Sequence, residues 1–145
     1  MGWTELVAHV CGVFMFSGLD VTIENTSKQY EVDKYLVLSV VYQESRCKVD
    51  AVGAVGELGL MQISPRWHYD RMISLNARNL FDPESNVRVG VDLLHSLRVN
   101  SDPKKALAIY NGGYTMPPAS KKYADTVYNR WHYFLNLAKQ GRGNQ

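Results

Sequence analysis

Apolar positions recur along most of the chain with the spacing of α-helices. Residues 3–17 place Leu6, Val10, Val13 and Phe14 on one side and predict a first helix, which Gly18 can end. Residues 19–27 are polar and read as a turn-like connection. Residues 28–46 predict a central helix whose second half is apolar all round, so it is expected to be buried on most sides. The valines at 37, 40 and 41 would also suit a strand, but the length of the segment and its early Lys, Glu and Asp residues favour helix. Residues 48–59 carry Gly53, Gly56 and Gly59 and predict a tightly turned loop with a small strand or hairpin near it.

Asp82-Pro83 is a helix start, a cap followed by proline at the first helical position, and Val87, Val91, Leu94 and Leu97 continue it. Asp102-Pro103 repeats the signal ahead of Ala106 to Tyr110, and Asn111-Gly112-Gly113 stops that helix. After the break at Pro117-Pro118, residues 119–139 predict a last helix with Tyr123, Val127, Trp131, Phe134, Leu135 and Ala138 on one face. Residues 140–145 read as a frayed tail. There is no internal repeat and no linker. The pattern predicts a mainly α, single-domain protein over residues 1–145.

Composition narrows the function classes. At 145 residues, 46% hydrophobic and 21% charged, the chain suits one globular domain with a real core. A formal net charge of +2 is too mild to argue for nucleic acid, and Lys104, Lys105, Lys121, Lys122 and Arg130 read as solvated helix faces. No nucleic-acid partner is expected. Two buried free thiols are the favoured reading of Cys11 and Cys47, with a single bond between them as the alternative. The histidines at 9, 68, 95 and 132 are scattered, so no metal and no organic cofactor is expected. The apolar stretch Leu6 to Leu19 lacks a basic segment before it and is too short to span a bilayer, so neither a signal peptide nor stable membrane insertion is expected. Asn25-Thr26-Ser27 matches a glycosylation sequon, which is read as accidental.

Candidate chemistry centres on Glu44. It lies near the end of the apolar helix, where desolvation and the negative end of the helix dipole both favour its neutral form. A carboxyl kept protonated above a polar groove suits general-acid cleavage of a glycosidic bond. Glu57 could be a second acid, but a carboxylate binding amides of its own glycine loop is the favoured reading. Asp50, Asp70 and Asp82 are weaker candidates, and Asp82 already caps a helix.

Glu44-Ser45, the segment Gly56-Glu57-Leu58-Gly59-Leu60-Met61-Gln62-Ile63-Ser64-Pro65, and Ala108-Ile109-Tyr110-Asn111-Gly112-Gly113 follow in order. Tyr123 comes next, and the run from Leu80-Phe81-Asp82-Pro83 through Asn86 to Gly90 fills the interval between the second and third segments. Together, over roughly residues 28–135, they resemble the lysozyme-like soluble lytic transglycosylases, the SLT family, with its Gly-x-x-Gly-Leu-Met-Gln-x-x-Pro and Ala-x-Tyr-Asn-x-Gly segments. The resemblance implies a lysozyme-like fold with a glycan groove. It also implies cleavage of the MurNAc-β-1,4-GlcNAc bond of peptidoglycan with a 1,6-anhydroMurNAc product.

Residue by residue, the resemblance makes Glu44 the single catalytic acid and base, with Tyr110 orienting its carboxyl. Tyr123 helps hold the site, Met61 forms an apolar wall, Gln62 offers a polar contact, and Asn111 and Gly113 shape the groove floor. Two positions depart from the family pattern. Gly53 stands where many members carry serine, and Glu57 stands where alanine is common. If Glu57 held a water, the enzyme would be a hydrolytic muramidase like the goose-type lysozymes. A catalytically idle wall-binding module is a further alternative. The expected setting is a monomeric bacteriophage endolysin, made in the host cytoplasm and released by a holin to the periplasmic wall, with a virion-associated role as the variant.

Overall fold

The computed structural model describes residues 1–143, with side chains described to Gln140. Its helices are α1 (Trp3–Cys11), α2 (Leu19–Tyr30), α3 (Lys34–Ser45), α4 (Pro65–Ser74), α5 (Pro83–Ser96), α6 (Pro103–Gly112) and α7 (Pro118–Gly143). A short 3₁₀ turn, Gly12–Phe14, follows α1. The described residues contain no strand, only two isolated bridges, Val52 to Leu58 and Leu58 to Ile63, where a small hairpin is expected. The mainly α architecture agrees with the helical periodicity.

The central helix α3 is the axis of the fold. Asp33 caps it by accepting a hydrogen bond from the Tyr35 amide at 2.7 Å. Leu36 to Val41 are all buried, so this helix has no solvent stripe, as its sequence predicts. It begins at Lys34 rather than 28, because Glu31 adopts the left-handed conformation (φ 57°) that ends α2. The last helix packs along α6 and across α3, while α2 packs against α5.

Three further sequence expectations require correction. The first helix ends at Cys11, because Gly12 turns left-handed (φ 58°), and Val13 is left 92% exposed instead of joining the core. Residues 19–30 form α2 rather than a turn. Its inward stripe, Leu19, Ile23, Thr26, Ser27 and Tyr30, has helical spacing but is half hydroxyl-bearing, which hides it from a hydropathy reading. Asp20 ties α2 back to α1, accepting from Thr4 Oγ1 at 2.6 Å through its carboxylate and from Trp3 Nε1 at 2.9 Å through its carbonyl. The sequon at Asn25 lies inside this helix with Thr26 and Ser27 buried, consistent with a chance match.

The third correction concerns the cysteines: Cys11 and Cys47 are bonded, with their Cα atoms 5.5 Å apart. The bond joins the end of α1 to the residue just after α3. Closing a separation of 36 residues is worth about 4 kcal/mol on the loop-entropy model. The helix α4, to which no element is assigned from sequence, starts on Pro65. At the C-terminus α7 is described through Gly143, and the end of the tail expected to fray lies outside the described residues.

Candidate active site

The penultimate residue of α3, Glu44, is half-buried where α3, α7 and the glycine loop converge. Its Oε2 accepts a hydrogen bond from Tyr123 Oη at 2.9 Å. Burial pushes its pKa up from an ordinary 4.5 to about 7; the Tyr123 bond opposes that rise, and the charge of Glu57 adds to it. Burial and the neighbouring Glu44 charge hold the phenols of Tyr110 and Tyr123 well above the usual tyrosine range, so both remain neutral donors. Ser45 satisfies the backbone, its Oγ donating to the Val41 carbonyl at 3.0 Å, as expected from sequence.

The two tyrosines exchange roles relative to the sequence expectation. Tyr123 on α7 holds the carboxyl of Glu44. The hydroxyl of Tyr110 on α6 donates instead to the Met61 carbonyl at 2.6 Å. Tyr110 therefore fixes the glycine loop beside the carboxyl. Sequence spacing cannot decide this, because it depends on how α7 and α6 rotate against α3.

The loop is built around a buried amide. Asn86, fully buried on α5, accepts from the Met61 amide at 2.8 Å and donates to the carbonyls of Leu58 at 2.9 Å and Leu80 at 2.8 Å. Gly59 has φ 76°, and a Cβ there would come within 2.3 Å of both Asn86 Nδ2 and the Leu80 oxygen. Only glycine fits on either count. Asn86, which the sequence reading names within the Leu80 to Gly90 stretch without giving it a role, is a structural residue of the site on the inward face of α5.

Met61 is not a groove wall. Its side chain is fully buried against α5, where a Cβ on Gly90 would meet its sulfur at 2.3 Å. What Met61 contributes to the site is its carbonyl. Gln62, half-buried at φ 52°, spends its amide on the loop itself, donating to the Ala51 and Gly59 carbonyls at 3.1 and 3.0 Å. That leaves only its Oε1 as a free polar atom. Asn111 and Gly113 are exposed at the end of α6, with Asn111 Oδ1 accepting from Ser120 Oγ at 2.8 Å.

The two unusual positions of the loop are a matched pair. Glu57 Oε1 accepts from the Val55 amide at 3.0 Å, the loop-binding role expected of it. A Cβ on Gly53 would lie 2.9 Å from the Glu57 carboxyl carbon and 2.6 Å from Gln62 Oε1. The side chains of Glu57 and Gln62 thus fill the space into which residue 53 would project. Among the described residues no cluster of three His, Cys, Asp or Glu could hold a metal. The arrangement provides one desolvated carboxyl with a fixed donor on one oxygen, beside a rigid loop.

The chain is similar to known proteins in sequence and in fold. The transglycosylase SLT domain family matches residues 21–131. A transglycosylase of Enterobacteria phage PRD1 is 38% identical over 93 residues, covering 63% of this chain and 34% of its own length. Membrane-bound lytic murein transglycosylase E of Buchnera aphidicola is 31% identical over 96 residues, covering 61% of this chain and 41% of its own. Among solved structures, an inactive glutamate-to-glutamine mutant of lytic transglycosylase Slt from Pseudomonas aeruginosa superposes with a TM-score of 0.72 at 18% identity. It covers 82% of this chain and 24% of that one. The 70 kDa soluble lytic transglycosylase of Escherichia coli gives 0.71 at 20%, over 81% of this chain and 24% of that one. The fold is theirs, and the chain spans well under half the length of each of these proteins.

Proposed function

Because the chain belongs to the transglycosylase SLT domain family, we propose that it is a lytic transglycosylase that cuts the MurNAc-β-1,4-GlcNAc bond of peptidoglycan with Glu44 as its only acid and base. The single observation that carries this reading is Glu44 itself. Its pKa of about 7 leaves a large protonated fraction near neutral pH, and its Oε2 is held by Tyr123. With Oε2 accepting from the phenol, the acidic proton resides on Oε1.

Glu44 gives that proton to the glycosidic oxygen as the bond to the muramyl C1 breaks. The carboxylate so formed is stabilised by the Tyr123 hydrogen bond, a charge-assisted contact worth about 1.5–3 kcal/mol. It then accepts the proton of the muramyl C6 hydroxyl, whose oxygen closes on C1. One proton leaves Glu44 and one returns, no water is consumed, and no second carboxylate is required. Glu57 is engaged by the Val55 amide of its own loop, which supports a structural part for it and not that of a water-holding base. Tyr110 and Asn86 hold the loop, and Gln62 Oε1, Asn111 and Gly113 form the polar groove surface.

The Cys11–Cys47 bond supports action in an oxidising compartment outside the cytoplasm, and the phage relative supports a setting in lysis of a host wall. No helix among the described residues is long and apolar enough to cross a membrane.

The deciding experiment is mass spectrometry of the sugars released from purified peptidoglycan, with Glu44→Gln in parallel. Muramyl ends lighter by one water, absent with the variant, are the expected result. Hydrated ends would overturn the proposal in favour of a hydrolytic muramidase.

A further inference from the structure

The turn between α1 and α2 carries an apolar tip that neither the core nor the acid–base chemistry uses. Its sequence, Gly12-Val13-Phe14-Met15-Phe16-Ser17-Gly18, sets four apolar residues in a row between two glycines. Both glycines take positive φ, 58° and 100°, which turns the run away from the helices on either side. Met15 and Phe16 lean against the core, whereas Val13 is 92% exposed and Phe14 44%. Among the described residues no other large apolar side chain is as exposed as Val13. Two adjacent apolar side chains held in water at the tip of a turn mark a contact surface.

The disulfide decides what surrounds this tip. Cys11 immediately precedes it, and the bond brings the Cα of Cys47 within 5.5 Å of Cys11. The exposed Arg46 and Lys48, on either side of Cys47, therefore lie beside the tip. Lys48 Nζ is 4.8 Å from the centroid of the Phe14 ring. Arg46 shares the ring of Tyr42 with Arg130 of α7, at 4.2 and 4.7 Å from its centroid. Arg130 is half-buried there and is not the solvated surface charge that the sequence suggests.

Among the described residues none of these three cations meets a carboxylate at ion-pair distance, whereas Lys34, Arg71 and Lys104 pair with Glu24, Asp92 and Asp125. The carboxyls nearest to them in the chain are Glu44, which is turned to Tyr123, and Asp50, which is exposed. Three cations against one exposed carboxylate leave the collar of the tip net positive.

An apolar tip with a cationic collar matches the layering of an anionic bilayer surface. The acyl boundary takes up valine and phenylalanine, and the headgroups just above it take up ammonium and guanidinium groups. With Lys48 beside the Phe14 ring, its ammonium lies at headgroup depth once the tip is immersed. We propose that Val13 and Phe14, with Arg46, Lys48 and Arg130 around them, dock the protein reversibly on an anionic lipid leaflet. Such docking needs no membrane-spanning segment, and it stands apart from the activity proposed above.

The test is co-sedimentation with vesicles of equal parts phosphatidylcholine and phosphatidylglycerol, beside vesicles of phosphatidylcholine alone. Proteins are the wild type, Val13→Asp, Val13→Trp and the paired Arg46→Gln and Lys48→Gln change, each first shown to unfold cooperatively. The wild type should bind the mixed vesicles and leave the neutral ones, and its binding should weaken as salt is raised. The paired change should weaken binding about fivefold for each charge removed. Val13→Asp should weaken it by about tenfold or more. Brominated acyl chains should quench the emission of Val13→Trp beyond that of the wild type, which has three tryptophans of its own. A wild type that stays in solution with the mixed vesicles overturns the proposal. So does binding that Val13→Asp leaves unchanged, which is adsorption by charge alone, or a Val13→Trp emission that brominated chains do not quench further. Self-association abolished by Val13→Asp, with no vesicle binding, would assign the tip to a second copy of the chain instead.

Discussion

Replacing Glu44 with glutamine is predicted to stabilise the protein above neutral pH while abolishing its activity. In the folded protein the carboxyl titrates near pH 7, and in the unfolded chain near an ordinary 4.5. A carboxyl with a raised folded pKa binds its proton more tightly in the native state. Its contribution to stability is fully present below pH 4.5 and is lost as pH rises through 7. Ionised, it is a desolvated charge held by one phenol. The difference in pKa corresponds to at most about 3 kcal/mol of native-state cost above pH 7, since the side chain keeps some solvent contact.

Glutamine keeps the shape of the side chain and an oxygen that accepts from Tyr123, but it cannot ionise. Urea and thermal unfolding of the two proteins from pH 4 to 9 provide the measurement. No cysteine is free to reshuffle the disulfide at the alkaline end. Near pH 4 the curves should coincide. By pH 8 the variant should gain up to about 3 kcal/mol, or roughly 10 °C in Tm for a chain of this size. On the proposed function, loss of Glu44 as the acid should cost at least about a hundredfold to ten-thousandfold in kcat. A stability difference that does not vary with pH would refute the argument, since it would mean that Glu44 is not desolvated.

Further outcomes follow from the same geometry. Tyr123→Phe removes a bond that favours the ionised form, so the Glu44 limb of the pH–rate profile should move to higher pH and kcat should fall about tenfold to a hundredfold, whereas a merely packing tyrosine would leave the limb in place. Glu57→Gln removes a charge that raises the Glu44 pKa, so the same limb should move to lower pH while anhydro ends remain the product. Reduction of the disulfide, or the paired Cys11→Ala and Cys47→Ala change, should lower stability by about 4 kcal/mol in urea denaturation. Gly59→Ala should cost about 3 kcal/mol or prevent folding, because its Cβ would strike the Leu80 carbonyl, and proteolysis of the loop should report it.

Local chemistry made much of this molecule legible. The Asp-Pro starts at 82 and 102 are caps in the structure, each aspartate accepting from an amide three residues on, because capping needs only neighbours in sequence. The apolar run before Glu44 is a buried helix for the same kind of reason: Leu36 to Val41 could not face water on any side. Glu44 stood out because a carboxylate at the end of such a helix is costly wherever the rest of the chain goes.

What the sequence by itself determined, then, is the helical class, the central helix, the loop and the desolvated carboxyl at the end of that helix. Tertiary structure alone decided which tyrosine meets that carboxyl, since α6 and α7 both bring a phenol to it and only their rotation selects Tyr123. It decided that Met61 is core and that Asn86 is the centre of the loop. It joined Cys11 to Cys47 across 36 residues and set Arg46 and Arg130 on one ring. Each of these is a contact between segments distant in the chain. Spacing along a sequence carries no information about such distances; they arise only when the apolar faces of several helices find the one packing that buries them together.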